Sequence, residues 1–148
     1  DDTPAEEGEP HSALEEGCTA CHNPHGSANE NMLSASPDEI CTDCHDDITD
    51  DKPITHDALD EGCTTCHLPH ASSNANLLTS PVNELCKECH EDHDAHTLDG
   101  SYASEWGGAT PFPVSGGELA CTGCHAPHSA DEGALFAAPE DDLCTSCH

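Results

Sequence analysis

The sequence predicts a mostly irregular chain with short α-helices, built from three copies of one unit, and three observations carry that prediction. The first is a repeat. Residues 63–90, CTTCHLPHASSNANLLTSPVNELCKECH, hold two CxxCH motifs whose first cysteines, Cys63 and Cys86, lie 23 residues apart, and the same layout spans 18–45 and 121–148. The second is scarcity of apolar side chains: Leu, Ile, Val, Met and Phe number 19 of 148 residues against a formal charge of -29, a combination that ordinarily builds no packed core. The third is a helix start placed just before a second motif. Ser36-Pro37-Asp38-Glu39 offers an N-cap serine, a proline at the first helical position and a capping-box glutamate ahead of Cys41.

A CxxCH sequence marks covalent attachment of a c-type haem, in which two thiols add across vinyl groups and the adjacent histidine binds iron. Residues three apart on a helical turn project to one side, and the histidine that follows turns toward the metal. Two CxxC pairs can also build a zinc ribbon, and a single pair can be a redox dithiol. Neither chemistry requires the trailing histidine. Histidine makes up 13 of 148 residues, so its chance placement after all six motifs has odds of roughly one in two million, which sets zinc and disulfides aside. Six covalently attached haem c groups are therefore expected. Their thioether positions are Cys18, Cys21, Cys41, Cys44, Cys63, Cys66, Cys86, Cys89, Cys121, Cys124, Cys144 and Cys147, and the proximal iron ligands are His22, His45, His67, His90, His125 and His148.

Six porphyrins resolve the conflict between repeat order and apolar poverty. Each is a large rigid apolar body, so the expected core is a stacked haem array with a thin polypeptide wrapping, and the haem-free chain should not fold. Propionates and ferric cores bring the total charge to about -35. Low reduction potentials follow, and ligation by two histidines points the same way. Such a surface repels nucleic acid and anionic lipid; it suits a basic partner, bound cations or a salty medium, or serves solubility alone. No run of about 18 apolar residues is present, so no membrane span is expected. The start DDTPAEEGEP reads as a mature form after signal-peptide removal. The expected location is extracellular or at the cell surface, with the periplasm as the alternative.

The whole of 1–148 reads as a single hexahaem domain. Residues 1–10 are an acidic arm. Two-haem repeats follow at 11–45 and 56–90, an insertion at 91–120, and a third repeat at 121–148. HSALEEGC and HDALDEGC place His11 and His56 seven residues before Cys18 and Cys63. Pro81 and Pro139 stand before Cys86 and Cys144 as Pro37 stands before Cys41, so short helices should carry every second motif. Leu33, Leu77, Leu78, Leu135, Phe136, Ile40, Leu85 and Leu143 read as haem-packing contacts. The insertion adds thirteen residues to the spacing of the third repeat and contains Tyr102, Trp106, Phe112, His93 and His96; its aromatics are expected to cover a haem.

Six haems with two histidines each need twelve. CHNPH, CHLPH and CHAPH supply His25, His70 and His128. Each lies three positions after a proximal ligand, on the same side of that porphyrin, and should ligate a neighbouring haem. The second haem of the same repeat is the expected neighbour, which leaves His11 and His56 for the first haems of repeats one and two. Val114 occupies the matching position in the third repeat, so His96, or else His93, is expected there. His11 in another subunit is an alternative. Met32 reads as packing. The sixth haem, at His148, should lie near a terminus.

These residues resemble the multihaem cytochromes c with doubled CXXCH motifs, whose pattern CxxCHxPHxS, leucines, then LCxxCH, residues 63–90 match almost position for position; the first repeat has Ile40 for the usual leucine, and the third departs through its insertion. The resemblance implies electron transfer over closely spaced haems with little regular secondary structure; some similar small extracellular cytochromes polymerise into conductive filaments. Irons saturated by two histidines leave no open position for substrate, so the expected function is a non-enzymatic electron conduit. Expected partners are redox proteins or an extracellular acceptor, with a head-to-tail homopolymer (a nanowire) as one form. The alternatives are a monomeric periplasmic shuttle and, less favoured, a reductase with one open haem.

Overall fold

The computed structural model describes residues 8–45, 48, 51–91, 114–115 and 118–146. The acidic residues 1–7, the insertion residues 92–113 with His93, His96 and the three aromatics, and Cys147 and His148 lie outside the described residues. The chain divides into two compact units, Asp1–Asp50 with Asp57–Thr79, and Asp51–His56 with Ser80–His148. Each unit contains three of the six CxxCH motifs, so the division cuts through the second repeat.

Regular structure is sparse among the described residues. Three α-helices of six residues, α1 (Pro37–Thr42), α2 (Val82–Lys87) and α3 (Glu140–Thr145), carry the second motifs as expected. In α1 the capping box is complete: Ser36 Oγ accepts from the Glu39 N–H at 3.4 Å, and Glu39 Oε2 accepts from the Ser36 N–H at 3.1 Å. Those Ser36 hydrogen bonds hold the Glu39 carboxyl below its ordinary pKa. Pro81 and Pro139 sit one position earlier relative to their helices, as N-caps, because each lies five residues before its cysteine where Pro37 lies four before Cys41. The first motifs lie instead on 3₁₀ turns at Cys18–Ala20, Cys63–Thr65 and Cys121–Gly123. Gly17 and Gly62 enter the first two of these with φ of 90° and 89°, a region that L side chains avoid.

The strands among the described residues are two residues long. In the first unit, β1 (Glu9–Pro10) pairs antiparallel with β3 (Ala71–Ser72), Glu9 opposite Ser72. In the second unit, β2 (Ile54–Thr55) pairs with β6 (Ser129–Ala130), and β4 (Val114–Ser115) pairs with β5 (Glu118–Leu119). The first two pairings repeat one design: the strand leading into an upstream histidine lies along the strand that follows CHxPH. Among the described residues, the buried ones are Ala71, Ala120, Ala130, Ser72, Asn83 and Ser129, and no large side chain is fully buried. The polypeptide contributes no apolar interior of its own there, as the composition predicts.

Candidate haem-binding site

Each first motif is closed by a turn about ten residues downstream. His22 forms an antiparallel bridge with Leu33, His67 with Leu78, and His125 with Phe136. The following residue completes the clasp: Asn23 N–H donates to Met32 C=O, Leu68 to Leu77 and Ala126 to Leu135, at 2.7, 2.7 and 2.8 Å. Leu33, Leu78 and Phe136 thus hold the motif through their backbone, a role the sequence reading as haem-packing side chains does not contain.

The turn has a purpose at the ring. Asn31 and Met32, Asn76 and Leu77, and Ala134 and Leu135 all have φ between 53° and 57°, a left-handed pair that costs non-glycine residues about 1–2 kcal/mol apiece. The result in all three repeats is one hydrogen bond, from Nδ1–H of His22, His67 and His125 to the C=O of Asn31, Asn76 and Ala134, each at 2.9 Å. A carbonyl on Nδ1 fixes the tautomer and ring orientation and leaves Nε2 for a metal. Asparagine, which tolerates the left-handed region, was the visible signal in two repeats.

The rings themselves form pairs. His11 faces His45 with centroids 6.2 Å apart and planes 18° apart; His22 faces His70 at 6.0 Å and 28°; His56 faces His90 at 6.0 Å and 18°. Two metal–nitrogen bonds of about 2.0 Å each, plus about 1.1 Å from each nitrogen to its ring centre, give a separation of about 6.2 Å. The donor set therefore fits an iron held between two axial imidazoles. An offset stack can have this spacing too. A stack does not explain why each pair joins one CxxCH histidine to one histidine outside the motifs.

The pairing corrects the expected one. His70 faces the first motif of the preceding repeat instead of the second motif of its own, and His11 and His56 face second motifs instead of first. The cause is the strand pairing. The His11 N–H donates to His70 C=O at 2.7 Å and the His56 N–H to His128 C=O at 2.9 Å, so the upstream and downstream histidines sit side by side on paired backbones and their rings reach different motifs. The His11 Nδ1–H also donates to Pro69 C=O at 3.1 Å. Links spanning 58 residues or more leave no sign in the neighbouring sequence.

A further contact joins successive motifs inside each unit. In the second unit, the buried Asn83 side chain donates to Leu119 C=O at 3.0 Å and accepts from the Cys121 N–H at 2.9 Å. In the first unit, Asp38, at the matching position in α1, accepts from Cys63 Sγ–H at 3.5 Å. Burial, then the adjacent Cys41 and Asp38, push the free Cys63 thiol up to about 12; as a thioether it does not titrate. Second and first motifs of successive repeats are thereby set side by side. Of the other expected ligands, His67 and His128 are each engaged with a neighbour. His25 is exposed, and no ring faces it among the described residues.

A family model, the doubled CXXCH motif, matches the chain three times, over residues 11–50, 56–95 and 112–148. No curated protein matches it. The three matched segments contain the three repeats, the third beginning inside the insertion at 112, and together they take in most of the sequence.

Proposed function

From the premise that the chain belongs to the doubled CXXCH family and is a multihaem c-type cytochrome of electron transfer, we propose that it carries six haem c groups, each between two histidines, and conducts electrons along them outside the cytoplasm. The carrying observation is the three histidine pairs at 6.0–6.2 Å, each joining a CxxCH histidine to one elsewhere. Bound haem would supply one-electron redox chemistry. The chain's part would be to hold Nε2 of His11, His22, His67 and His125 toward the metal through their Nδ1–carbonyl bonds, and, with two histidines to each haem, to leave no place on the iron for a substrate-sized ligand.

Close spacing of the haems is supported by segment 67–70. His67 belongs to the third motif while His70, three residues on, faces His22 of the first, so one short stretch serves two irons. About 25 residues per haem leave little polypeptide to insulate one cofactor from the next. No helix among the described residues is long and apolar enough to cross a membrane, and covalent haem of this type suits the cell exterior or surface, with the periplasm as the second location. Redox proteins or an extracellular acceptor would be the partners.

The test is intact mass of the mature protein together with its low-temperature electron paramagnetic resonance. The polypeptide plus six haems, with low-spin ferric signals, is the expected result. Bare polypeptide mass, or fewer than six haems, contradicts the proposal.

A further inference from the structure

Each of the three α-helices carries a polar residue at the same place, three positions before the first cysteine of its motif: Asp38 in α1, Asn83 in α2 and Asp141 in α3. In α1 and α2 that residue meets the first motif of the next repeat, and the two meetings differ. The Asn83 side chain is 5% exposed and is spent on backbone, donating to Leu119 C=O and accepting from the Cys121 N–H. Between them stands Ala120, with an extended backbone at φ of -68°. Asn83 is a neutral clamp.

A carboxylate has no hydrogen to give a carbonyl, so Asp38 cannot reproduce that clamp. Gly62 stands where Ala120 does but has φ of 89°, which brings the chain into the motif by a different path and leaves Asp38 against the cysteine itself. Asp38 Oδ1 lies 3.5 Å from Cys63 Sγ, and it would lie 3.6 Å from a Cβ on Gly62. The Cys41 thiol borders the same sulfur. Cys41 and Cys63 are thioether positions of two successive motifs, so the carboxylate stands where two points of haem attachment come together. A thioether sulfur has no proton to donate, and what this site offers to a bound haem is a negative charge.

That charge matters because reduction of the iron at His67 takes up one electron and cancels one positive charge. A carboxylate held nearby favours the ferric form over the ferrous one through its attraction for that charge. We propose that Asp38 lowers the reduction potential of the haem attached at Cys63 and Cys66, whereas Asn83, at the equivalent place in α2, gives the haem at Cys121 and Cys124 a neutral neighbour. The inference rests on the haem reading above and adds a residue that tunes one of its potentials. Equivalent motifs thereby carry haems of unequal potential.

The experiment is a spectroelectrochemical titration of the native protein, Asp38→Asn, Asp38→Glu and a charge control, Glu30→Gln. Each is first weighed for haem content, and paramagnetically shifted haem-methyl resonances identify the haem that moves. In Asp38→Asn the haem at Cys63 should move to higher potential, its oxidised-to-reduced ratio at a fixed applied potential falling about three- to tenfold, which is about 30–60 mV for one electron. Asp38→Glu keeps the charge and should stay near the native value. Glu30 is exposed on another turn of the same unit, and its loss should move that haem much less. Because Asp38 is exposed, added salt should narrow the Asp38→Asn shift. An Asp38→Asn titration that overlays the native one overturns the proposal while leaving the haem conduit standing. A shift that Asp38→Glu reproduces, that Glu30→Gln equals or that persists undiminished in high salt overturns it as well, as does loss of a haem in Asp38→Asn, which would make the residue one of attachment. A native protein without six haems sinks the underlying reading instead.

Discussion

The second and third repeats close the same turn on the same ring with different side chains. In the second, Ser72 Oγ–H donates to Leu78 C=O at 2.6 Å and accepts from the Asn74 N–H at 3.0 Å, Asn74 Nδ2 donates to the same carbonyl at 3.1 Å, and Asn76 takes the left-handed position. The first repeat has the same set in Ser27, Asn29 and Asn31. The third has Ala130, Glu132 and Ala134 at those positions, yet Ala134 reaches φ of 54° and its carbonyl meets His125 Nδ1 at the same 2.9 Å. Local side-chain chemistry differs and the outcome at the ring does not. The demand that fixes this turn therefore comes from the histidine and what it binds, with serine and asparagine lowering the strain where they are present.

That comparison fails outright if the turns are self-sufficient in the first two repeats. We expect the chain produced without haem attachment to lose all three turns together, with a disordered far-ultraviolet dichroism spectrum and unprotected amides, because the described polypeptide buries only small side chains and cannot offset about 1–2 kcal/mol of backbone entropy per residue. Slow exchange surviving at the Asn23 and Leu68 amides, but not at Ala126, would show that the Ser/Asn set suffices by itself.

A smaller effect separates the repeats in the assembled protein. Ser72 is 2% exposed, and Ser72→Ala leaves the Asn74 N–H without its acceptor and removes a donor from the Leu78 carbonyl, a loss of about 1–3 kcal/mol. Thermal unfolding should fall by several degrees, at about 2–4 °C per kcal/mol for a chain of this size. Asn74 still reaches the carbonyl, so the spectrum of the haem at His67 should not change. A variant as stable as the native protein would mean that the hydroxyl is incidental and that the third repeat, lacking it, gives up nothing.

The sequence made the scaffold legible because its signals are local. CxxCH, the capping box at Ser36 and Glu39 and the prolines before α2 and α3 all act within a few residues, and the three short helices appear at the second motifs as expected, with Pro81 and Pro139 shifted by one position to the N-cap. The partners of the distal histidines were not legible. They depend on strands of two residues, β1 with β3 and β2 with β6, too short to leave a periodicity of alternating side chains. Asn83 and Asp38 escaped for a related reason: a single polar residue one turn before a cysteine looks like helix surface until the neighbouring motif arrives beside it. The carbonyls on Nδ1 were half visible, since an asparagine before paired apolar residues hints at a left-handed turn in two repeats, while Ala134 gives no sign of one.

Ala134 also provides the finest test of the comparison. An alanine in the left-handed region bears a cost of about 1–2 kcal/mol that glycine escapes, while glycine gives back roughly 0.5–1 kcal/mol through the greater freedom of its unfolded chain. Ala134→Gly should therefore stabilise the third repeat by about 0.5 kcal/mol, a rise of about 1–2 °C in thermal unfolding. Asn76→Ala in the second repeat should lower it by a similar amount, since alanine tolerates that backbone less well than asparagine. Opposite signs are required if both repeats are held in one geometry by the ring, with the side chain setting only the strain. Shifts of the same sign would mean that the second turn owes its shape to Asn76 itself, and that the two repeats reach 2.9 Å by different means.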